Sequence, residues 1–241
     1  MSESFDGRSV VVTGGTGALG SAVVQTLLDA GATVHVPVFE STTPPRFTLA
    51  EHPRVRLRHG VDLGDEAAVV DYYANVAASS EVGLWASIQI AGGFAMAPLL
   101  ETSLAELERL WRMNLASCFL CCREAVRAIR ARPTAPEGGR LVNVAARPAL
   151  VPTAGMLAYA TSKAGVAALT LALAEELAGE GIWVNAIAPS IIDTPANRAA
   201  MPDADFAAWP SPSDLAATIV ALASPDNRCA RGAVVPVYGR S

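Results

Sequence analysis

Short apolar runs alternate with longer stretches of helical period along the whole of this chain. The pattern predicts strands buried on both faces and joined by helices, as in a parallel sheet wrapped by helices. The first run, Ser9–Thr13, is β-branched and leads into Gly14-Gly15-Thr16-Gly17-Ala18-Leu19-Gly20, then into a helical period over Ala22–Ala30. Further strands are expected at Thr33–Val38, around Arg54–Arg58, and at Trp85–Ile90, Arg140–Ala145, Ile182–Ala188 and Ala233–Val237. Helices are expected at Asp65–Ala78, from Ser103 to about Arg132, at Ala154–Leu177, and from Pro212 to a stop before Pro225. Arg54, Arg56 and Arg58 alternate with Val55 and Leu57, which suits an outer strand with one wet face. A phosphate site is the alternative there. Ser103 with Glu106 reads as a capping box, and Asn114 predicts a break in the helix that follows.

Ser41–Pro45 reads as a surface turn and Pro133–Gly139 as a loop. Pro189–Pro212 is long, Pro-rich and without strong period, so residues 190–212 are expected to form a lid over a binding site. Neither a repeat nor a second domain is visible, and residues 1–241 read as one domain.

Composition narrows the partners. Hydrophobic residues make up 51% of the chain and aromatics 6%, so the core is built from aliphatic side chains. A net charge of −5 and a pI near 5.2 argue against nucleic acid or an acidic membrane as partner. No cationic leader with an apolar core opens the sequence and no apolar run reaches ~18 residues, so a cytoplasmic, soluble protein is expected. Cys118, Cys121 and Cys122 share one predicted helix, Cys229 stands alone, and His35, His52 and His59 lie far upstream. Buried free thiols fit that spacing better than a metal site, and no metal is expected.

The candidate chemistry centres on Tyr159-Ala-Thr-Ser-Lys163. Tyr and Lys four apart lie on one helix face, and an ammonium held near a phenol would lower the phenol's pKa. Of the 18 basic side chains only Lys163 is a lysine, so the one compact ammonium stands here. Gly15, Gly17 and Gly20 satisfy G-x-G-x-x-G between a strand and a helix, the context in which a backbone approaches a pyrophosphate. Glu40, just after the second strand, is placed to hold ribose hydroxyls and to repel a 2′-phosphate. No Arg or Lys lies in the glycine turn, so the lean within NAD(P)(H) is toward NAD(H). Asp62 and Leu63 are placed to touch an adenine, and Ala91-Gly92-Gly93 suggests a second close approach of backbone to ligand. Asn114 is either an exposed residue at a kink or a polar group holding a water or a backbone carbonyl near the site.

Taken in order, the glycine turn, Ala91-Gly92-Gly93, Asn114, Tyr159-x-x-x-Lys163 and Pro189-Ser-Ile-Ile-Asp-Thr194 resemble the short-chain dehydrogenase/reductase family over essentially the whole chain. The resemblance implies a single-domain Rossmann fold, an α/β doubly wound parallel sheet of about seven strands, binding NAD(P). It also implies Tyr159 as proton donor, Lys163 on the nicotinamide ribose and lowering the tyrosine pKa, Asn114 on a relay water, and Ile192 and Thr194 on the carboxamide after Pro189. The chain departs from the family at Gly17-Ala18, at Gln89 in place of Asn and at Ser190 in place of Gly. A further departure concerns the chemistry: thirteen residues before Tyr159, where the family carries a catalytic Ser, stands Ala146.

In that respect the chain is similar to the dihydropteridine reductases, which keep Tyr and Lys and carry Ala. The likeness extends through Val144-Ala-Ala-Arg-Pro-Ala149, Gly155-Met156, Asp193-Thr-Pro-Ala-Asn-Arg198 and Met201–Trp209. It implies a nicotinamide-dependent reductase of quinonoid dihydropterin. Ketone reduction with another donor, or cofactor binding with little turnover, are the alternatives. Phe94, Ala146, Met156, Leu157 and Trp209 are the expected pocket. The Ala/Leu-rich faces of Leu115–Arg130 and Val166–Leu177 resemble helices that pair between subunits in the family, implying a homodimer or homotetramer.

Overall fold

The computed structural model describes residues 5–80, 82–132 and 138–241. Seven strands form one parallel sheet: β1 Ser9–Thr13, β2 Thr33–Pro37, β3 Val55–Arg58, β4 Leu84–Gln89, β5 Gly139–Val144, β6 Ile182–Pro189 and β7 Val234–Val237. Their order is β3-β2-β1-β4-β5-β6-β7. The helices are α1 Ala18–Asp29, α2 Glu66–Ser79, α3 Leu104–Leu110, α4 Ser117–Arg130, α5 Arg147–Leu150, α6 Leu157–Glu176, α7 Pro195–Ala200 and α8 Pro212–Ala223. A π-turn, Trp111–Ala116, joins α3 to α4.

The strands read as uninterrupted apolar runs because each is buried from both sides, and successive side chains enter different layers. Val10 and Val12 pack with Leu27 of α1 and Ile219 of α8. Val11, between them, packs with Tyr73 of α2, Cys121 of α4 and Val166 of α6. By length and composition alone α6 could cross a bilayer, but one of its faces is buried against β5 and β6.

Several boundaries move by a residue or more. The helix expected from Ala22 begins at Ala18, because the end of the glycine turn is already its first turn. Asp65 caps α2, accepting from the Ala68 N–H at 2.9 Å. Ser103 caps α3, but the Glu106 carboxylate turns to Arg109 at 2.7 Å, so the reciprocal half of the expected box is not made. β3 is the sheet edge, as its charge alternation predicts. Its arginines go to separate partners: Arg54 to the Leu28 carbonyl, Arg56 to that of Pro53, and Arg58 to Asp71. They do not converge on one point, which removes the phosphate alternative. Most of the expected Pro133–Gly139 loop lies outside the described residues. Cys118, Cys121 and Cys122 are buried thiols, whereas Cys229 is exposed, against expectation.

Candidate active site

The winding of the sheet reverses between β1 and β4, and a crevice opens beyond the carboxyl ends of those neighbouring strands. The glycine turn fills its floor. Gly14 has φ +65°, and a Cβ there would stand 2.9 Å from the Ala91 nitrogen, so only glycine lets the two loops approach. The Thr13 hydroxyl accepts from the N–H groups of Ile90 and Ala91 at 3.1 and 3.2 Å, which locks Ala91-Gly92-Gly93 to the end of β1. Gly17 caps α1 without a side chain, and the first intrahelical bond runs from Ser21 N–H to the Gly17 carbonyl. The N–H groups of Ala18, Leu19 and Gly20 therefore lack helical acceptors. Gly14, Gly15 and Thr16 curl beneath them. An anion such as a pyrophosphate fits this end by donor set and by helix dipole.

Beyond the turn, Glu40 lies on the bend after β2, where the sequence places it, with its carboxylate 3.7 Å from Arg46. The Arg46 Nε donates to the Thr16 carbonyl at 3.0 Å. No Arg or Lys lies in the glycine turn, as the sequence shows, but a cation from outside it reaches its backbone. Arg46 comes from 30 positions away, just after a stretch that reads only as a surface turn, and no local signal in the sequence joins the two. The Val61 N–H bonds to the Val38 carbonyl and the Gly60 N–H to that of Glu40, drawing the next loop to the same edge. There Asp62 is exposed and accepts from the Gly64 N–H at 2.8 Å, while Leu63 leans on the core.

α6 brings Tyr159 and Lys163 to the crevice on consecutive turns, but they do not act on each other as expected. The Lys163 Nζ donates to the Val144 carbonyl at 2.8 Å. Burial lowers its pKa to about 8. The Tyr159 hydroxyl is pushed up to about 12, again by burial. The expected depression of the tyrosine is thus reversed in this structure. A lysine stem is long enough to carry its head past the neighbouring turn to the end of β5. The Tyr159 ring meets Phe94 edge to face, centroids 5.0 Å apart.

Asn114 is buried at the centre of the π-turn, a feature frequent at functional sites. It is not an exposed kink residue. Its Oδ1 accepts from the Gly93 N–H at 2.8 Å, and its Nδ2 donates to the Gly93 carbonyl and to Ser162 Oγ, both at 3.0 Å. A Cβ on Gly92 would stand 2.5 Å from that Oδ1, so any other residue there would displace the Asn114 amide. The bonds to Gly93 match the backbone-holding reading of Asn114.

The chain matches the short chain dehydrogenase family over residues 8–205. It belongs to that family. Among curated relatives it is 33% identical over 198 residues to the cis-4-hydroxycyclohexanecarboxylate dehydrogenase of Sinomonas cyclohexanicum, covering 81% of this chain and 77% of the relative. It is 27% identical over 244 residues to the cyclic-di-GMP-binding biofilm dispersal mediator protein of Escherichia coli K12, covering 98% of each. Among solved structures, ElxO with NADP bound superposes with a TM-score of 0.87 at 21% identity, covering 96% of this chain and 97% of the other.

In this short-chain dehydrogenase the expected substrate pocket divides. Phe94 stands at Tyr159, Ala146 is buried two residues beyond the Val144 that holds Lys163, and Met156 is half-buried at the start of α6. Leu157 instead shares the other face of α6 with Ala160, Thr161 and Ala164, lining a cleft of about 440 Å³. Trp209 packs on Phe206 and lines a separate cavity of about 320 Å³ with Leu215, Val237 and Arg240. Helical geometry accounts for the first: positions 157 and 159 point in nearly opposite directions around the axis.

The segment expected to form a lid carries α7. Pro189 ends β6, Ile192 packs against the core, and the Thr194 hydroxyl caps α7 by accepting from the Asn197 N–H at 3.2 Å. Residues just beyond β7 hold it. Ser190 Oγ donates to the Tyr238 carbonyl at 2.9 Å, and the Arg240 N–H donates to the Ala208 carbonyl at 2.9 Å.

Proposed function

We propose that this protein is an NAD(P)H-dependent reductase of a small cyclic, conjugated substrate of the quinonoid dihydropterin kind, with Tyr159 as proton donor. The observation that carries the reading is a phenol raised to about 12 on the helix whose Lys163 is held two residues before the buried Ala146, the position where the resemblance implies a hydroxyl donor. Gly14–Gly20 and the start of α1 fit the pyrophosphate, Ala91–Gly93 and Lys163 the nicotinamide ribose, Ile192 and Thr194 the carboxamide, and Asp62 and Leu63 the adenine. When bound, the cofactor supplies the hydride. Tyr159 keeps its proton through the neutral range and releases it to the charge that develops on the substrate. An electron-poor ring accepts hydride without a polarised carbonyl, so a missing donor, which elsewhere costs ~10²–10³ in rate, costs little here. The pterin itself rests on the motif likeness in residues 193–209.

Glu40 favours NAD(H), and Arg46 beside it provides the charge that a 2′-phosphate would take. NADP bound to the similarly folded ElxO supports a nicotinamide cofactor without choosing between the two.

Steady-state oxidation of NADH and NADPH against quinonoid dihydropterin and a panel of cyclic ketones tests the reading. Pterin turnover above that of every ketone is expected. Ketone turnover with an inert pterin would replace it by the second reading, reduction of a ring ketone, which the relative acting on a hydroxycyclohexane carboxylate favours. Cofactor binding without turnover would favour a binding protein, the reading supported by the name of the relative that matches across 98% of both chains.

We also propose a homodimer or homotetramer in the cytoplasm. Trp111, Phe119, Leu157 and Leu171 are partly exposed along the π-turn, α4 and α6, and the four free thiols suit a reducing compartment. Sedimentation as a monomer at micromolar concentration would refute the assembly.

A further inference from the structure

Ser162 is wholly buried between Tyr159 and Lys163 on α6 and makes two hydrogen bonds. Its hydroxyl donates to the Tyr159 carbonyl at 2.7 Å and accepts from Asn114 Nδ2 at 3.0 Å. The first bond is the ordinary way in which a serine inside a helix satisfies itself, by bonding back one turn. The second sets it apart.

An asparagine amide offers two donors on nitrogen and two lone pairs on oxygen. In Asn114 the oxygen takes the Gly93 N–H, one donor goes to the Gly93 carbonyl, and the other goes to Ser162. One backbone residue is therefore gripped from both sides. That grip works in one orientation of the amide only: turned by 180°, nitrogen would face the Gly93 N–H and oxygen would face the Gly93 carbonyl. Sterically the two orientations are nearly equivalent. Gly93 therefore selects the orientation by its own donor and acceptor, and Ser162 adds a third bond that agrees with it. Because its own proton is committed to the Tyr159 carbonyl, it presents lone pairs to Asn114 and so accepts only the nitrogen.

We propose that Ser162 is a positioning residue that, by accepting from the oriented Asn114 amide and donating to the Tyr159 carbonyl, ties the Gly93 loop to the Tyr159 turn of α6. The two walls of the crevice, one from the end of β4 and one from α6, then hold a constant separation. Gly92 reinforces the link, since the space its missing Cβ leaves lies within 2.5 Å of Asn114 Oδ1 and 3.4 Å of Lys163 Nζ. The kinetic part of this inference rests on the reductase reading above, and the structural part does not.

The test is Ser162→Ala in the full chain, read by hydrogen exchange at individual backbone amides and by steady-state kinetics. Exchange at the Gly93 amide should accelerate about tenfold, while amides in β1 and β5 stay within about twofold. With whichever substrate the wild type turns over, kcat should fall about tenfold and the KM for cofactor should hold. Unchanged Gly93 exchange would overturn the proposal. So would acceleration spread evenly over α6 and the sheet, the mark of simple destabilisation. If the wild type binds cofactor and reduces nothing, the reductase reading fails, and the Gly93 amide alone decides the role of Ser162.

Discussion

The ammonium of Lys163 is held by the carbonyl of Val144, at 2.8 Å, rather than by its helical neighbour Tyr159. Burial brings its pKa to about 8, below the ordinary lysine value of 10.5. Two measurable effects follow. The cationic form is lost first in the free enzyme, so kcat/KM for reduction should fall above a pH of about 8 while Tyr159 is still protonated. A rate flat to pH 10 would show that the charge on Lys163 is not needed. Stability should move the other way. Between about 8 and 10.5 the unfolded chain binds a proton that the folded chain has released, so stability rises with pH across that window. Against Lys163→Met, denaturant unfolding should show the wild type gaining up to about 1.4 kcal/mol per pH unit there.

Tyr159 holds its proton throughout the neutral range, at a pKa near 12. Tyr159→Phe keeps the ring that Phe94 packs against and removes only the hydroxyl. Turnover should fall by about 10²–10⁴, the usual worth of a positioned acid, while cofactor titration by fluorescence gives an unchanged affinity. Retained turnover would remove the tyrosine from the reaction.

The fold was legible because its signals are local. The unbroken apolar run Ser9–Thr13 marks a strand buried on both sides, the charges on either side of Val55 and Leu57 mark an edge, and Ser103 and Asp65 mark helix starts. The main parts of the site were legible where chemistry needs a fixed spacing, as in Tyr159–Lys163 and the glycine turn. What was not legible depends on through-space partners. Arg46 reaches Thr16 across 30 positions, and Lys163 takes a carbonyl 19 positions earlier. Leu157 and Trp209 are apolar residues near the motifs in sequence, and nothing in their own type says which cavity they line.

On the proposed function, the Glu40–Arg46 pair is where a preference between the two cofactors would be set. The carboxylate lies 3.7 Å from the guanidinium and both are half exposed, so the attraction is screened and the pair opens readily. On that reading, Glu40 in the wild type opposes a 2′-phosphate and occupies the cation that would bind it. Glu40→Ala should therefore raise the NADPH-to-NADH ratio of kcat/KM by about tenfold or more, as Arg46 becomes free for a charge-assisted bond. Adding Arg46→Ala should cancel that gain. A ratio indifferent to both substitutions would place the ribose elsewhere.

Ala146 tests what kind of substrate the site was built for. It is buried, its backbone is extended (φ −163°, ψ 158°), and it caps the short helix α5. Serine is well suited to such a position, so Ala146→Ser should fold with little change in melting temperature. Its hydroxyl would add a donor two residues past the carbonyl that anchors Lys163. A simple ketone depends on such a donor to stabilise charge on its oxygen, and its kcat should rise, with ~10²–10³ as the upper bound. A quinonoid ring spreads that charge over its own conjugated system and should gain no more than about threefold, within a single weak hydrogen bond. The decisive quantity is the ratio of the two gains, because a general effect on folding or cofactor binding cancels from it. A ketone gain well above the ring gain means that the wild-type alanine suits a substrate with no need of the donor. Equal gains, or none, would mean that another group already polarises the carbonyl, and the ring ketone reading would then take precedence.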